Sequence, residues 1–168
     1  MFFTSLQPES TVEFGKQIAS LLKPGMVIAL DGDLGTGKTV ISRGIARGLG
    51  ITSPVTSPTF TVAQEYPLPG NRFLYHLDMY RIDDENSALA FGIDEFLFAP
   101  NAITIVEWPE RISGLLTADQ RLLMIHLRHV NEMQRRLEIP DAFAEKLCQA
   151  GLPEGVFLFS PAVKETRS

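Results

Sequence analysis

Cysteine is nearly absent from this chain: Cys148 is the only one in 168 residues. That excludes an intrachain disulfide and a thiolate metal cluster, and it fits a reducing cytosol. Basic charge is not in excess either, with 15 Lys and Arg against 20 Asp and Glu and a net charge of −5. Broad adhesion to nucleic acid or to an anionic membrane is therefore disfavoured, although a local basic patch is not. No apolar run approaches the ~20 residues needed to cross a bilayer. Met1-Phe2-Phe3-Thr4-Ser5 has neither a basic segment nor a long apolar stretch, so no signal peptide is expected. Internal repeats, low-complexity tracts and linkers are missing before about residue 140. An Asn-Lys-x-Asp guanine-recognition motif is missing throughout, which disfavours a GTPase. With 45% hydrophobic residues, 168 residues suffice for one compact domain, 1–168, with a sizeable core.

The chain is organised around Gly32-Asp33-Leu34-Gly35-Thr36-Gly37-Lys38-Thr39, which fits G-x-x-x-x-G-K-[ST]. Such a P-loop wraps the backbone around an anion so that successive N–H groups face the phosphates of a nucleotide. Glycine is required where φ is positive and where phosphate approaches too closely for a Cβ. Lys38 is expected at the β- and γ-phosphates and the Thr39 hydroxyl on magnesium. The flanks agree: Met26-Val27-Ile28-Ala29-Leu30 reads as a buried parallel strand. Val40, Ile41, Ile45 and Leu49 then recur at helical spacing up to Gly50. These residues predict a nucleoside triphosphate site.

Upstream, Ser10-Thr11-Val12-Glu13 reads as a capping box opening a helix with Phe14, Ile18, Leu21 and Leu22 on its apolar stripe. Downstream, residues 52–59 are rich in Ser, Thr and Pro and read as irregular. Phe60 to Tyr66 and Arg72 to Asp78 read as a hairpin around Pro67-Leu68-Pro69-Gly70-Asn71. Asp83 or Asp84 caps a short helix that stops at Gly92, and Ala102 to Val106 is a second buried strand. Leu122 to Leu127 and Arg136 to Ile139 read as another hairpin, and Asp141 to Gln149 as a final helix. Val156-Phe157-Leu158-Phe159 reads as a strand or an extended cover, within an extension spanning 141–168 that packs on the domain. The whole predicts a three-layer α/β P-loop NTPase fold: a mixed, mainly parallel sheet with antiparallel hairpins at one edge.

A P-loop enzyme needs a second acid at the end of a neighbouring strand to complete the magnesium shell, and Glu107 follows Ile103-Thr104-Ile105-Val106. In His76-Leu77-Asp78-Met79-Tyr80-Arg81, strand alternation puts His76, Asp78 and Tyr80 on one face. Asp78 is a candidate to orient the attacking water, and His76 a structural hydrogen-bond partner rather than a base. Thr59 or Ser57 is placed where nucleotide switches carry a hydroxyl that meets magnesium or the γ-phosphate. Trp108 is read as core or as a reporter and anchor beside the metal acid, and Arg128, Arg135 and Arg136 as a solvated turn or a contact to base, phosphates or partner.

Gly-Asp-Leu-Gly-x-Gly-Lys-Thr, Ser-Pro-Thr-Phe, His-x-Asp-x-Tyr-Arg and Val-Glu-Trp-Pro, in this order over about residues 5 to 140, resemble the TsaE family. That family is the bacterial ATPase subunit required for N6-threonylcarbamoyladenosine modification of tRNA. The resemblance implies ATP hydrolysis with magnesium, in the cytoplasm, serving a TsaB–TsaD protein complex in which TsaD performs the transfer. It implies contact with tRNA at most indirectly and none with a membrane. By match of motif, Asp33, Leu34, Gly35, Thr36, Gly37, Lys38, Thr39 and Val40 bind the nucleotide, and Thr39 and Glu107 hold the metal. Asp78 takes a catalytic polar role with Lys38 and Glu107, Thr59 the switch position, and Thr11 and Arg135 contacts to the base end. Many members carry a second Thr where this chain has Val40, which removes a side-chain contact to the α-phosphate. Neither a cis arginine finger nor a positioned glutamine is evident, so a partner-dependent ATPase is expected. A small-molecule P-loop kinase, with the three arginines as lid, and a nucleotide-gated binding module are the alternatives.

Overall fold

The structure is a computed structural model that describes residues 1–58, 60–117 and 121–160; Thr59 and the last part of the 141–168 extension, residues 161–168, lie outside it. Within these residues the chain runs β1 (Phe2–Ser5), α1 (Pro8–Ala19), β2 (Met26–Asp31), α2 (Lys38–Gly48), β3 (Ala63–Leu68) and β4 (Arg72–Asp78). Two short helices follow, α3 (Glu85–Ala90) and α4 (Ile93–Leu97), then β5 (Ala102–Glu107) and a 3-10 segment (Pro109–Leu115). β6 (Arg121–His129), β7 (Arg135–Glu138), α5 (Asp141–Gln149) and β8 (Val156–Phe159) complete it.

The eight strands form one sheet in the order β3-β4-β5-β2-β6-β7-β1-β8. The central strands β4, β5, β2 and β6 are parallel, whereas the four outer pairings are antiparallel. The sheet is thus mixed, as expected, but not mainly parallel: four of its seven pairings are antiparallel, and antiparallel strands flank it on both edges rather than one. The reason is β1: Phe2–Ser5 is inserted between β7 and β8 and extends the β6–β7 hairpin into a four-stranded antiparallel half. Pro67 is accommodated because β3 is an edge strand that needs no donor on its outer side.

Alternation along the strands builds a core on each face. Ile28, Leu30, Leu74, Ile103, Ile105 and Leu123 pack on one side with Phe14, Ile18, Ile41 and Ile45 of α1 and α2. Val27, Leu77 and Val106 pack on the other with Ala88, Ile93, Leu97 and Ile112. The result is three layers.

The predicted capping box is corrected. The helix begins at Pro8, whose fixed φ suits the first helical position, and Gln7 is its N-cap. Ser10 and Thr11 lie one turn inside and are buried, with the Thr11 hydroxyl 2.7 Å from the Ser5 hydroxyl. The strand expected from Phe60 starts only at Ala63, because residues 60–62 form a turn with Val62 at φ 65°.

Helices α1 and α2 cross at a glycine seam. A Cβ on Gly44 would come within 2.3 Å of the Val12 carbonyl oxygen and 2.9 Å of the Gly15 Cα. Only glycine lets the two backbones approach this closely.

Candidate nucleotide site

Parallel pairing aligns the carboxyl ends of three strands: Asp78 of β4 lies opposite Glu107 of β5, and Leu30 of β2 opposite Glu107 on its other side. Loop 32–39 leaves β2 at this level and enters α2, so the chain's chemical groups converge where open α/β sheets bind ligands. Gly35 and Gly37 take φ 78° and 101°, conformations that an L side chain rarely adopts. Thr36 stiffens the turn by donating to the Asp33 carbonyl at 2.9 Å. Leu34 is exposed.

A cavity of about 360 Å³ opens over the loop, lined by Lys38, Thr39, Val40, Ser57, Asp78, Tyr80, Glu107 and Trp108 among others. Lys38 is buried; its ammonium donates to the Gly32 carbonyl and, at 2.9 Å, to that of Asp33. It also lies 3.8 Å from the centroid of the Trp108 ring. Burial holds its pKa below the ordinary lysine value, and the carboxylates of Glu107, Glu110, Asp78 and Asp31 oppose that shift.

Glu107 is the hub of the cavity floor. It accepts from Thr39 Oγ1 at 3.2 and 3.3 Å, from Ser42 Oγ at 3.4 Å and from His76 Nε2–H at 2.8 Å. His76 is fully buried and Glu107 is 3% exposed, so this contact fixes the carboxylate in a low-dielectric setting. The His76 Nδ1 has no hydrogen-bond partner among the described residues. His76 thus stands as the hydrogen-bond partner that alternation suggested, facing the same side as Asp78. Tyr80 lies beyond the strand end and is exposed at the cavity rim.

Asp78 is buried, and its carboxylate accepts from the Ser57 hydroxyl and, at 2.9 Å, from the Tyr80 amide. Its own amide donates to the Val62 carbonyl at 2.9 Å, tying β4 to the segment that precedes β3. Val62 and Trp108 both hold positive φ, at 65° and 61°. Such strained non-glycine residues persist only where the surroundings enforce them. At Trp108 the left-handed turn brings the ring back over Lys38.

The remaining candidates border the loop. Thr11 and Arg135 share a small cleft of about 60 Å³ with Gly35, Gly37 and Val40. Arg135 Nη1 donates to the carbonyls of Asn131, Glu132 and Gln134 at 2.8, 3.2 and 2.9 Å, which pins it to the β6–β7 turn. Arg136 stacks over Phe159, 3.8 Å from its centroid, on β8. Arg128 lies with His129 beside Gly32 and Asp33. Thr59 falls outside the described residues.

Among the described residues no cluster of three His, Cys, Asp or Glu is suited to a metal ion. The available donors are the Thr39 hydroxyl and the Glu107 carboxylate, hard oxygens that fit magnesium, which keeps several waters and takes few protein ligands. None of the described helices is long and apolar enough to cross a membrane. Sequence reasoning missed Ser42, which also donates to the Lys38 carbonyl at 2.9 Å. Its position three residues after Thr39 on a helix was the available signal.

Residues 5–137 match the family described as threonylcarbamoyl adenosine biosynthesis protein TsaE. This chain belongs to the TsaE family. A TsaE relative from Bacillus subtilis is 41% identical over 133 residues, covering 79% of this chain and 80% of that protein. One from Synechocystis is 43% identical over 111 residues, covering 63% and 68%. Both are described as tRNA threonylcarbamoyladenosine biosynthesis proteins. The crystal structure of Bacillus subtilis YdiB superposes with a TM-score of 0.72 at 31% identity, over 89% of this chain and 95% of that one.

Proposed function

We propose that this TsaE-family chain is an ATPase acting in N6-threonylcarbamoyladenosine modification of tRNA, with a P-loop NTPase fold, and that its turnover depends on a TsaB–TsaD protein complex in the cytoplasm. The observation that carries this reading is the gathering of Lys38, Thr39, Asp78 and Glu107 around one cavity at the carboxyl ends of β2, β4 and β5. The family and its tRNA-modification relatives supply the pathway.

In this reading the loop amides and Lys38 cradle the β- and γ-phosphates of ATP. Lys38 then exchanges its bonds to the Gly32 and Asp33 carbonyls for phosphate oxygens. Thr39 and Glu107 hold magnesium, which when bound offsets the charge on the phosphates. His76 and Ser42 keep the Glu107 carboxylate turned toward Thr39. Asp78, steadied by Ser57 and the Tyr80 amide, accepts a hydrogen bond from the attacking water. That water forms an O–P bond to the γ-phosphorus as the bond to the β,γ-bridging oxygen breaks, releasing ADP and phosphate. Thr59 joins as the switch hydroxyl on the strength of the sequence. Thr11 and Arg135 are assigned the base end because they share a cleft with Gly35, Gly37 and Val40. Val40 offers the α-phosphate only its backbone.

Dependence on a partner rests on a deficit. Among the described residues lining the cavity Lys38 is the only cation, and a missing arginine finger is worth about 10³–10⁵ in rate. Leu34 and Tyr80 stand exposed at the rim, where an incoming protein would cover them. The test is phosphate release from ATP by the purified chain alone, with the TsaB–TsaD complex, and with small acceptor metabolites. Slow release alone and strong stimulation by the complex are expected. Stimulation by a small acceptor, with a phosphorylated product, would overturn the proposal in favour of a metabolite kinase.

A further inference from the structure

A second cavity, about 330 Å³, shares no lining residue with the first and lies between α2 and the segment before Ser57. It is lined by Arg43 and Arg47 of α2 and by the whole 52–56 segment, which carries the hydroxyl residues Thr52, Ser53 and Thr56 beside Pro54 and Val55. The two arginines are four apart on one helix, so they share a face and repel each other. Both are exposed, and among the described residues no carboxylate forms an ion pair with either. Arg43 is already aimed: its Nε donates to the Val55 carbonyl at 2.8 Å, which leaves the two Nη groups of its planar fork for another acceptor.

From this geometry we propose that the Arg43–Arg47 pocket binds a phosphate group at a site separate from the nucleotide cavity. Two guanidinium forks with three hydroxyls offer more donors than a carboxylate can use, whereas the three or four oxygens of a phosphate match them. The phosphate comes either from a small free anion or from the backbone of an RNA. A phosphate here bridges α2, which begins at Lys38, to the segment that ends in Ser57, whose hydroxyl bonds Asp78. The pocket thereby anchors the far end of the segment that reaches the candidate catalytic carboxylate.

The test uses the full chain, its Lys38→Ala variant, and the pairs Arg43→Gln with Arg47→Gln and Arg43→Lys with Arg47→Lys. Inorganic phosphate is titrated calorimetrically, and a fluorescent tRNA transcript is titrated by anisotropy at several salt concentrations. Binding of at least one probe is expected to survive Lys38→Ala, to weaken roughly tenfold or more in the glutamine pair, and to weaken less in the lysine pair, which keeps charge but loses the fork. If tRNA is the source, losing two phosphate contacts lowers the slope of log affinity against log salt by about 1.4–1.8. If a free anion is the source, only the inorganic phosphate isotherm changes. Equal affinity of the original chain and the glutamine pair for both probes overturns the proposal, as does binding that vanishes in Lys38→Ala. A polyglutamate peptide that binds the pocket more tightly than either probe overturns it in favour of an acidic protein partner.

Discussion

Replacing His76 by Leu removes one hydrogen-bond donor from a buried carboxylate and supplies no other donor in its place. In the structure Glu107 has three side-chain partners, and His76 at 2.8 Å is the shortest; Thr39 and Ser42 lie at 3.2 to 3.4 Å. Both members of the pair are shielded from water, so the loss is not made good by solvent. A buried charge that loses such a partner costs about 2–4 kcal/mol. For a chain of this length that is a fall in melting temperature of roughly 4–16 °C. Stability alone does not separate a positioning role from a packing role, so the second readout is the magnesium concentration that half-saturates nucleotide binding. With its orienting partner gone, Glu107 is expected to require about 10–100-fold more magnesium. His76→Gln places an amide N–H near the position of Nε2 and should recover most of both losses. A His76→Leu protein that melts with the original chain and keeps its magnesium requirement would refute the reasoning, because Glu107 would then be held without His76.

Three further outcomes are expected. Asp78→Asn should retain ATP while slowing phosphate release by about 10²-fold or more, since it keeps the shape and loses the charge that orients water; weakened binding with unchanged turnover at saturation would contradict the assignment. Gly44→Ala should destabilise by about 1–3 kcal/mol, because its Cβ meets backbone of α1 that cannot rotate away; a gain of about 1 kcal/mol, as helix propensity alone predicts, would deny the seam its role. Lys38→Met should alter the pH dependence of stability in the protein without nucleotide. Because burial lowers the Lys38 pKa on folding, the unfolded chain binds that proton more tightly, and stability rises with pH between the folded value and the ordinary one. Subtracting the melting profile of Lys38→Met should leave that rise, and a flat difference would show that the ammonium is not desolvated.

What could be read from the sequence was set by local signals. Strand Arg72–Asp78 and helix Asp141–Gln149 run between punctuating residues, and the structure has them at those bounds, while the helix after the loop takes in Lys38 and Thr39 and ends at Gly48. Asp84 caps α3 by accepting from the Ser87 amide at 2.8 Å, as its position suggested. Long-range partners were not legible. Phe2–Ser5 is only four residues, and what makes it an interior strand is pairing with Arg135–Glu138 and Val156–Phe159. The Ser10–Glu13 pattern satisfied a capping rule, yet Pro8 starts the helix earlier and the core takes Ser10 and Thr11. At the site, alternation put His76 and Asp78 on one face, but the His76–Glu107 bond follows from the parallel register of β4 and β5. The pinning of Arg135 depends on the shape of a turn, which its charge does not foretell.

The insertion of β1 between β7 and β8 also sets an order of events during synthesis. Phe2 faces Glu138 on one side and Phe159 on the other, so the strand made first is paired by strands made last. At about 5–20 residues per second, the backbone donors and acceptors of Phe2–Ser5 wait roughly 8–30 s before both neighbours have emerged. Loop 32–39 and the strands beside it can meet well before that. On the ribosome, then, the parallel half with the cavity over loop 32–39 is free to assemble while the antiparallel half is still open, and the sheet is complete only when β8 pairs with β1 at its edge.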